Sequence, residues 1–523
     1  MGPPPRRAAR AAGVRRRSAG VSPVLRLRGA ARAGARARPR GAGRRARILA
    51  GAGALSLAAC AVPATPTRAA RELPPESLAL LEVDPDALGP AELARRAARI
   101  DAHYWRRAQV LGMPFPPLRS RSELPDPDGF AAGGDAALYC GQALAAFSFA
   151  LGATGSEAAF ARVLSTLRGV YLLTHASGTP GVLARCAFPA AEARRWGYPE
   201  RWQHRIEAGF VHRRTRPLRD PFGGGTFAPL VYYTRASRDQ LTGLVFGLAV
   251  AWRQLAPEAL PRSLRSRGRR ARELVADIAR AVYEHLRRHE WRIRDEAGRN
   301  RTDADRVDGL LRTQVLVLAR RTSVLWPAQA AARARREARA HFVVHQAGDC
   351  FAWTNNLHEY FAWSLRALRA LTVWLLAEDP ARRQEAADVV AWPIWANTRG
   401  HQNALLAAAR ALTAPRDEAA RREWLDALRS LALRPLRGWP SPRAGAHAAP
   451  GVWDALCGRT ARFALPPHLR KPTGYSVWSK EPWDAGGGVA DGRGEATGID
   501  FLLPYWLGRW AGWIDAGSAG PPR

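Results

Sequence analysis

The stretch "TRASRDQLTGLVFGLAVAW", residues 234–252, decides how the chain is read. It begins with Arg235, Arg238 and Asp239 and then runs apolar to Trp252. A helix that is apolar on every side belongs inside a protein, and a charged knot at its mouth needs a partner or a function. Five further stretches share the apolar character: "ALYCGQALAAFSFALG", "GLLRTQVLVLA", "YFAWSLRALRALTVWLL", "ALLAAARAL" and "FLLPYWLGRWAGWI". Others are amphipathic. "AELARRAARIDAHYW" puts Leu93, Ala97, Ile100 and Tyr104 on one face, and "RRARELVADIARAVYEHLRR" does the same with Leu274, Val275, Ile278, Val282 and Leu286. These faces have the spacing of helices lying half-buried at a surface.

The two kinds alternate along the chain. The expected pairs are 90–109 with 135–151, 156–174 with 237–255, 265–289 with 306–320, 328–345 with 356–376, 380–391 with 402–412, and 416–432 with 499–513. Six helical hairpins, each with one outer and one inner helix, suit an all-α body of two concentric layers. No long stretch alternates with the period of a strand. Two inserts, 177–236 and 433–498, read as long loops rich in Gly, Pro and aromatics, and loops of that length are often functional.

Each inner stretch begins beside an acid or amide. The mouths carry Asp135, Asp239, the group Asp303, Asp305 and Asp308, then Asn355, Asn356, His358 and Glu359, then His401, Gln402 and Asn403, and lastly Asp500. If the inner helices run parallel around a ring, these residues gather at one cavity. Any single member is explained by helix capping, because Asp and Asn side chains accept from the unpaired N–H groups of a first turn. Of the 19 tryptophans, 13 lie from Trp353 onward, and a flat Trp face suits the apolar face of a sugar ring. Trp483 in the late insert is one candidate. Trp252, Trp363 and Trp374 read as core.

The formal charge of +35 comes almost wholly from arginine, since Lys471 and Lys480 are the only lysines. Arginines are scattered through every helix and no nucleic-acid-binding module is visible, so the charge reads as composition, and nucleic acid is not expected as a partner. Four cysteines, Cys140, Cys186, Cys350 and Cys457, have neither CxxC nor zinc spacing, and leave disulfides and buried thiols equally open. No metal ligand set and no cofactor motif is read.

"RRARILAGAGALSLAAC" has the arginines Arg44, Arg45 and Arg47, an apolar run at 48–59 and a terminal Cys60. The run falls short of the roughly 20 residues that span a bilayer and suits a signal peptide. "LAAC", residues 57–60, resembles the lipobox of bacterial lipoproteins, which implies that Cys60 receives a lipid and becomes the first residue. The expected organisation is a leader at 1–60, a Pro/Thr-rich tether at 61–88, the helical domain at 89–515 and a tail at 516–523. The expected location is the cell envelope, anchored to a membrane through Cys60 and facing periplasm or exterior.

"GDAALYCGQALAAFSFALGATG", "LLTHASGTPGVLAR", "ASRDQLTGLVFGLAVAW", "NNLHEYFAWSLRAL" and "GIDFLLPYWLGRW" occur in that order. Together they resemble an uncharacterised bacterial branch of the six-hairpin, glycosidase-like superfamily. The resemblance implies an (α/α)6 toroid and a carbohydrate ligand held at the inner-helix ends. That superfamily includes inverting glycoside hydrolases and polysaccharide lyases, although their local acid and base motifs are absent here. Two other double-ring families do not fit: the DxDD signature of terpene cyclases and the zinc-binding Cys and Cys-His motifs of lanthionine cyclases are missing.

Two functions follow as expectations. One is an enzyme, with Asp239 as one carboxylate and Asp135, Glu359 or Asp500 opposite, and Arg238, Gln240, Asp308, Asn356, His358, Tyr360, Asn403 and Trp483 binding substrate. If the chemistry is elimination, His358 or Tyr360 is the base. The other is a glycan-binding or scaffold lipoprotein without catalysis. Carboxylates tied to arginines or backbone N–H groups favour the second.

Overall fold

The computed structural model describes residues 87–118, 129–130, 133–196, 209–299, 305–341, 360–436, 464–470, 474–479, 481–482 and 494–514, and the backbone of 451–454 and 459–462. The leader with Cys60, the tether up to residue 86 and the tail lie outside the described residues, as do Asn356, His358, Glu359, Trp483, Cys350 and Cys457. The described part is mostly helical. Its helices of ten residues or more are α1 (Pro90–Arg107), α2 (Ala136–Thr154), α3 (Glu157–His175), α4 (Arg238–Gln254), α5 (Arg265–Arg288), α6 (Gly309–Thr322), α7 (Ala328–Ala340), α8 (Phe361–Leu376), α9 (Pro380–Val389), α10 (Ala404–Thr413), α11 (Glu418–Ala432) and α12 (Ile499–Trp510).

The two kinds of helix differ in burial as their sequences dictate. Every residue of α2 from Ala136 to Leu151 is buried, and so is α4 from Gln240 to Trp252. In α1 only one face is buried, through Leu93, Ala97, Ile100 and Tyr104. In α5 Val275, Ile278, Val282 and Leu286 are buried. At the α2–α4 seam two backbones touch. A Cβ on Gly141 would stand 1.9 Å from the Gly243 carbonyl oxygen, and one on Gly247 would stand 2.3 Å from that of Gly141. Only glycine permits that approach.

The buried helices pack on one another in a consistent order. α2 contacts α4 and α12, α4 contacts α6 and α8, α6 contacts α8, α8 contacts α10, and α10 contacts α12. The amphipathic helices cover them: α3 lies on α2, α5 on α4 and α6, α7 on α6, α9 on α8, and α11 on α10 and α12. Some polar groups inside are paired across helices, which offsets the cost of burying them. Gln314 of α6, fully buried, donates to the Thr242 carbonyl of α4 at 3.1 Å and to Thr372 Oγ1 of α8 at 2.8 Å. Pro504 lies inside α12 and has no N–H to give the Asp500 carbonyl four residues back. The Trp478 indole N–H fills that vacancy at 2.6 Å.

The first insert departs from the expectation of an all-α chain with plain loops. It builds an antiparallel sheet of β1 (Cys186–Pro189), β2 (Val211–Arg214) and β3 (Leu230–Tyr233), in the order β1-β3-β2. β1 and β3 are buried on both faces over most of their length. Strands so placed read as apolar runs without alternation, which is why the period of two is missing. The second insert contains the hairpin Gly451–Asp454 with Arg459–Arg462 and the short helical turns Pro467–Leu469 and Val477–Ser479. Cys140 is a buried free thiol and Cys186 is buried in β1.

Candidate functional site

The first turn of α4 is tied to the mouth of α2. Asp135 is the residue before α2, and its Oδ1 accepts from the Arg185 guanidinium at 2.9 Å and from the Gln240 amide at 2.9 Å. Gln240 is fully buried. Its own Oε1 accepts from the Ser237 backbone N–H at 2.8 Å and the Ser237 hydroxyl at 2.6 Å. Arg185 also donates to the Gly134 carbonyl, and its guanidinium lies 5.8 Å from the Tyr233 ring. The Asp135 side chain remains 50% exposed, so solvent reaches a carboxylate whose position is fixed.

Asp239 differs. Burial pushes its carboxyl above the usual range; Arg369 of α8 opposes that shift, Asp135 adds to it, and Arg238 and Arg185 oppose it further. Among the described residues no hydrogen bond or ion pair holds its carboxylate. Arg369 instead donates to Thr242 Oγ1 at 2.9 Å. Arg238, the first residue of α4, is exposed while Asp239 is half-buried, so of the two charges at the mouth only the carboxylate loses solvent.

Tyr139, one turn into α2, joins the mouths. It is buried and stacks on Tyr475 at 4.6 Å with an 8° interplanar angle. Burial holds its hydroxyl proton on; Ser479 opposes this, and Asp135, Asp500 and Asp239 reinforce it. Carboxylates from three buried-helix starts thus act on one phenol. Asp500 is the most enclosed of them, 6% exposed. It accepts from the Val477 N–H at 3.0 Å and the Phe501 N–H at 3.1 Å. Burial raises its carboxyl and the nearby Arg434 opposes that.

The remaining candidates form a second group at the same end of the helices. Tyr360 is buried just before α8, with its hydroxyl 3.4 Å from His401 Nδ1. Asn403 caps α10, accepting from Leu405 and Leu406 at 3.1 and 3.2 Å. Arg470, fully buried, donates to the Leu465 carbonyl at 2.8 Å and to that of His401. Burial and Arg470 hold His401 down to about 4. Trp478 bridges the two groups: its carbonyl accepts from Ser364 of α8 at 3.0 Å while its indole donates to Asp500. Asp308 stands apart, exposed before α6 with Arg306 at 3.6 Å. Arg235 and Gln402, just ahead of α4 and α10, have φ of 63° and 46°, a conformation rare outside glycine and enriched where strain serves a site.

Sequence reading missed Arg185 and Arg369. Arg366 and Arg369, three residues apart in the otherwise apolar "YFAWSLRALRALTVWLL", were the available signal. Among the described residues no group of three His, Cys, Asp or Glu side chains is placed to hold a metal ion. Two surface cavities among the described residues are lined by neither Asp135, Asp239 nor Asp500. Comparison with models of known protein families, with curated proteins and with solved structures finds no significant match.

Proposed function

We propose that the helical body is an (α/α)6 toroid of the six-hairpin, glycosidase-like kind and that it cleaves a glycosidic bond with inversion. The contacts that run from α2 through α4, α6, α8, α10 and α12 and back to α2 support a ring, although α4 also touches α8 directly. The observation that carries the function is the contrast between Asp239 and Asp135. Asp239 is half-buried with burial raising its carboxyl; Asp135 is half exposed and bound to a guanidinium. An inverting hydrolase needs one carboxylic acid and one carboxylate on opposite sides of the bond. Asp239 gives its proton to the departing glycosidic oxygen. Asp135 takes a proton from the water that attacks the anomeric carbon, with Arg185 and Gln240 fixing its orientation. Asp500 and Asn403 hold the mouth together through backbone N–H groups.

The lipobox-like "LAAC" supports export and anchoring at Cys60. Mass spectrometry of protein from the membrane fraction tests this, since any mature N-terminus other than acylated Cys60 rejects it. A non-catalytic glycan-binding role is favoured by the two donors already on Asp135 Oδ1 and the backbone donors on Asp500. A panel of polysaccharides, scored for binding and for reducing ends released by the full-length protein, separates the two. Release with the anomeric configuration inverted is expected; binding without release selects the second role, and a retained configuration rejects the mechanism.

A further inference from the structure

The C-terminal ends of the same buried helices carry a different chemistry. A cavity of about 280 Å³ opens there, lined by Arg320, Arg321, Arg339 and Arg382 with Glu378 and Asp379. Glu378 is engaged by both Arg320 and Arg321, and Arg382 pairs with Glu385 at 2.9 Å and with Asp379 at 3.9 Å. Arg339 is exposed and has no acidic partner among the described residues, so cations outnumber anions in the lining. Arg253, at the end of α4, lies close enough to feel the charges of Arg383 and Arg321 after burial has already lowered its affinity for a proton. A bound anion relieves such crowding of like charge.

Directly after Arg320 and Arg321 the chain makes the turn Ser323–Leu325. Val324 is 70% exposed and Leu325 44%; with Trp392 they are the exposed large apolar side chains among the described residues. Arg335 reaches the turn as well, donating to Ser323 Oγ at 3.2 Å. Protruding aliphatics beside an arginine-rich hollow match the boundary between acyl chains and phosphate headgroups, where apolar groups enter and cations stay at the surface.

We propose that this end of the helical body docks on an anionic phospholipid bilayer, with Val324 and Leu325 entering the headgroup region and Arg321, Arg339 and Arg382 meeting lipid phosphates. The N-terminal ends of the same helices, with Asp135 and Asp239, then face away from the bilayer. The proposal stands whether or not that carboxylate pair is catalytic.

Co-sedimentation of the full-length protein with vesicles tests it, using phosphatidylcholine alone and phosphatidylcholine mixed with phosphatidylglycerol. The apolar run of residues 48–59 is common to all variants, so differences among them report the turn and the cavity. Each cation near an anionic surface multiplies partitioning by about fivefold, so Arg321→Gln with Arg339→Gln is expected to weaken binding to the mixed vesicles roughly 25-fold. Val324→Asp with Leu325→Asp alters only exposed side chains and is expected to weaken it at least as much, with an unchanged circular dichroism spectrum. Binding that is the same for the wild type and the Val324/Leu325 variant overturns the proposal. So does binding that ignores phosphatidylglycerol, or inorganic phosphate protecting the cavity arginines from modification while the protein stays off the vesicles.

Discussion

Replacing Gly141 by alanine probes the seam on which the buried layer is built. The added Cβ would stand 1.9 Å from the Gly243 oxygen and 2.2 Å from its carbon, where real Cβ atoms keep at least 3.0 Å. The obstacle is the backbone of a fully buried helix, so no side chain can swing aside, and α2 and α4 must part by about an ångström over their contact. Overpacking of this kind costs about 1–3 kcal/mol, sometimes more, whereas Gly→Ala inside a helix returns about 1 kcal/mol. Because Gly243 and Gly247 make the same close approach from the facing helix, the upper end of that cost applies, and the expected net loss is about 2 kcal/mol. Urea unfolding followed by tryptophan fluorescence measures it as a lower midpoint at unchanged slope. Gly134→Ala is the control, because its Cβ would meet nothing nearer than 3.9 Å; its midpoint should stay within about 0.5 kcal/mol of wild type. A Gly141→Ala protein as stable as wild type would refute the close packing of α2 on α4.

Other expectations are independent of that seam. Arg107 holds the buried Glu495 through two bonds at 3.1 and 2.9 Å, with His103 at 3.9 Å, so Arg107→Met should cost about 3 kcal/mol in the same urea assay by removing the main counter-charge of a buried carboxylate. A loss under 1 kcal/mol would contradict this. Burial raises Glu423 to about 7 although the Gly400 and Gln402 N–H groups oppose it. A carboxyl raised in the folded state binds its proton more tightly there than in the unfolded chain, so stability should fall as pH rises from about 4.5 to about 7. Glu423→Gln should flatten that slope, and parallel pH curves for the two proteins would contradict it. Burial also raises the Cys140 thiol well above its usual range, so it should resist alkylation in the native protein and react on unfolding. Rapid native labelling at Cys140 would show that the α2 core opens.

The helical layers were legible because burial and periodicity are two views of one fact. "LTGLVFGLAVAW" has no polar face and lies wholly inside; "AELARRAARIDAHYW" has one apolar face and buries that face. The sheet was not legible, since "CAFP" and "LVYY" have no solvent side to reveal a strand. Arg238 opens a buried helix yet is exposed, because a long first-turn arginine side chain reaches water from the helix mouth. Arg369 was hidden by composition, since where 78 of 80 basic residues are arginines one more in an apolar helix carries little signal; Arg185 lies in the segment just before β1, where no periodicity marks it. The link from Trp478 to Asp500 depends on Pro504 removing a helical donor, and sequence shows the gap without showing which distant group fills it. At the mouths, capping and chemistry use the same residue types. Structure separates them by what each carboxylate already holds: Asp500 two backbone N–H groups, Asp135 a guanidinium and an amide, Asp239 none among the described residues.

The central claim is that Asp239 carries the proton that the leaving group takes, and the turnover rate of Asp239→Asn on a cleaved polysaccharide tests it most directly. Removing a general acid costs about 10²–10⁴ in rate. The account predicts kcat lower by at least about a hundredfold with KM little changed, and recovery on a substrate whose leaving group needs no proton. Asp239→Asn turning over at the wild-type rate would contradict it.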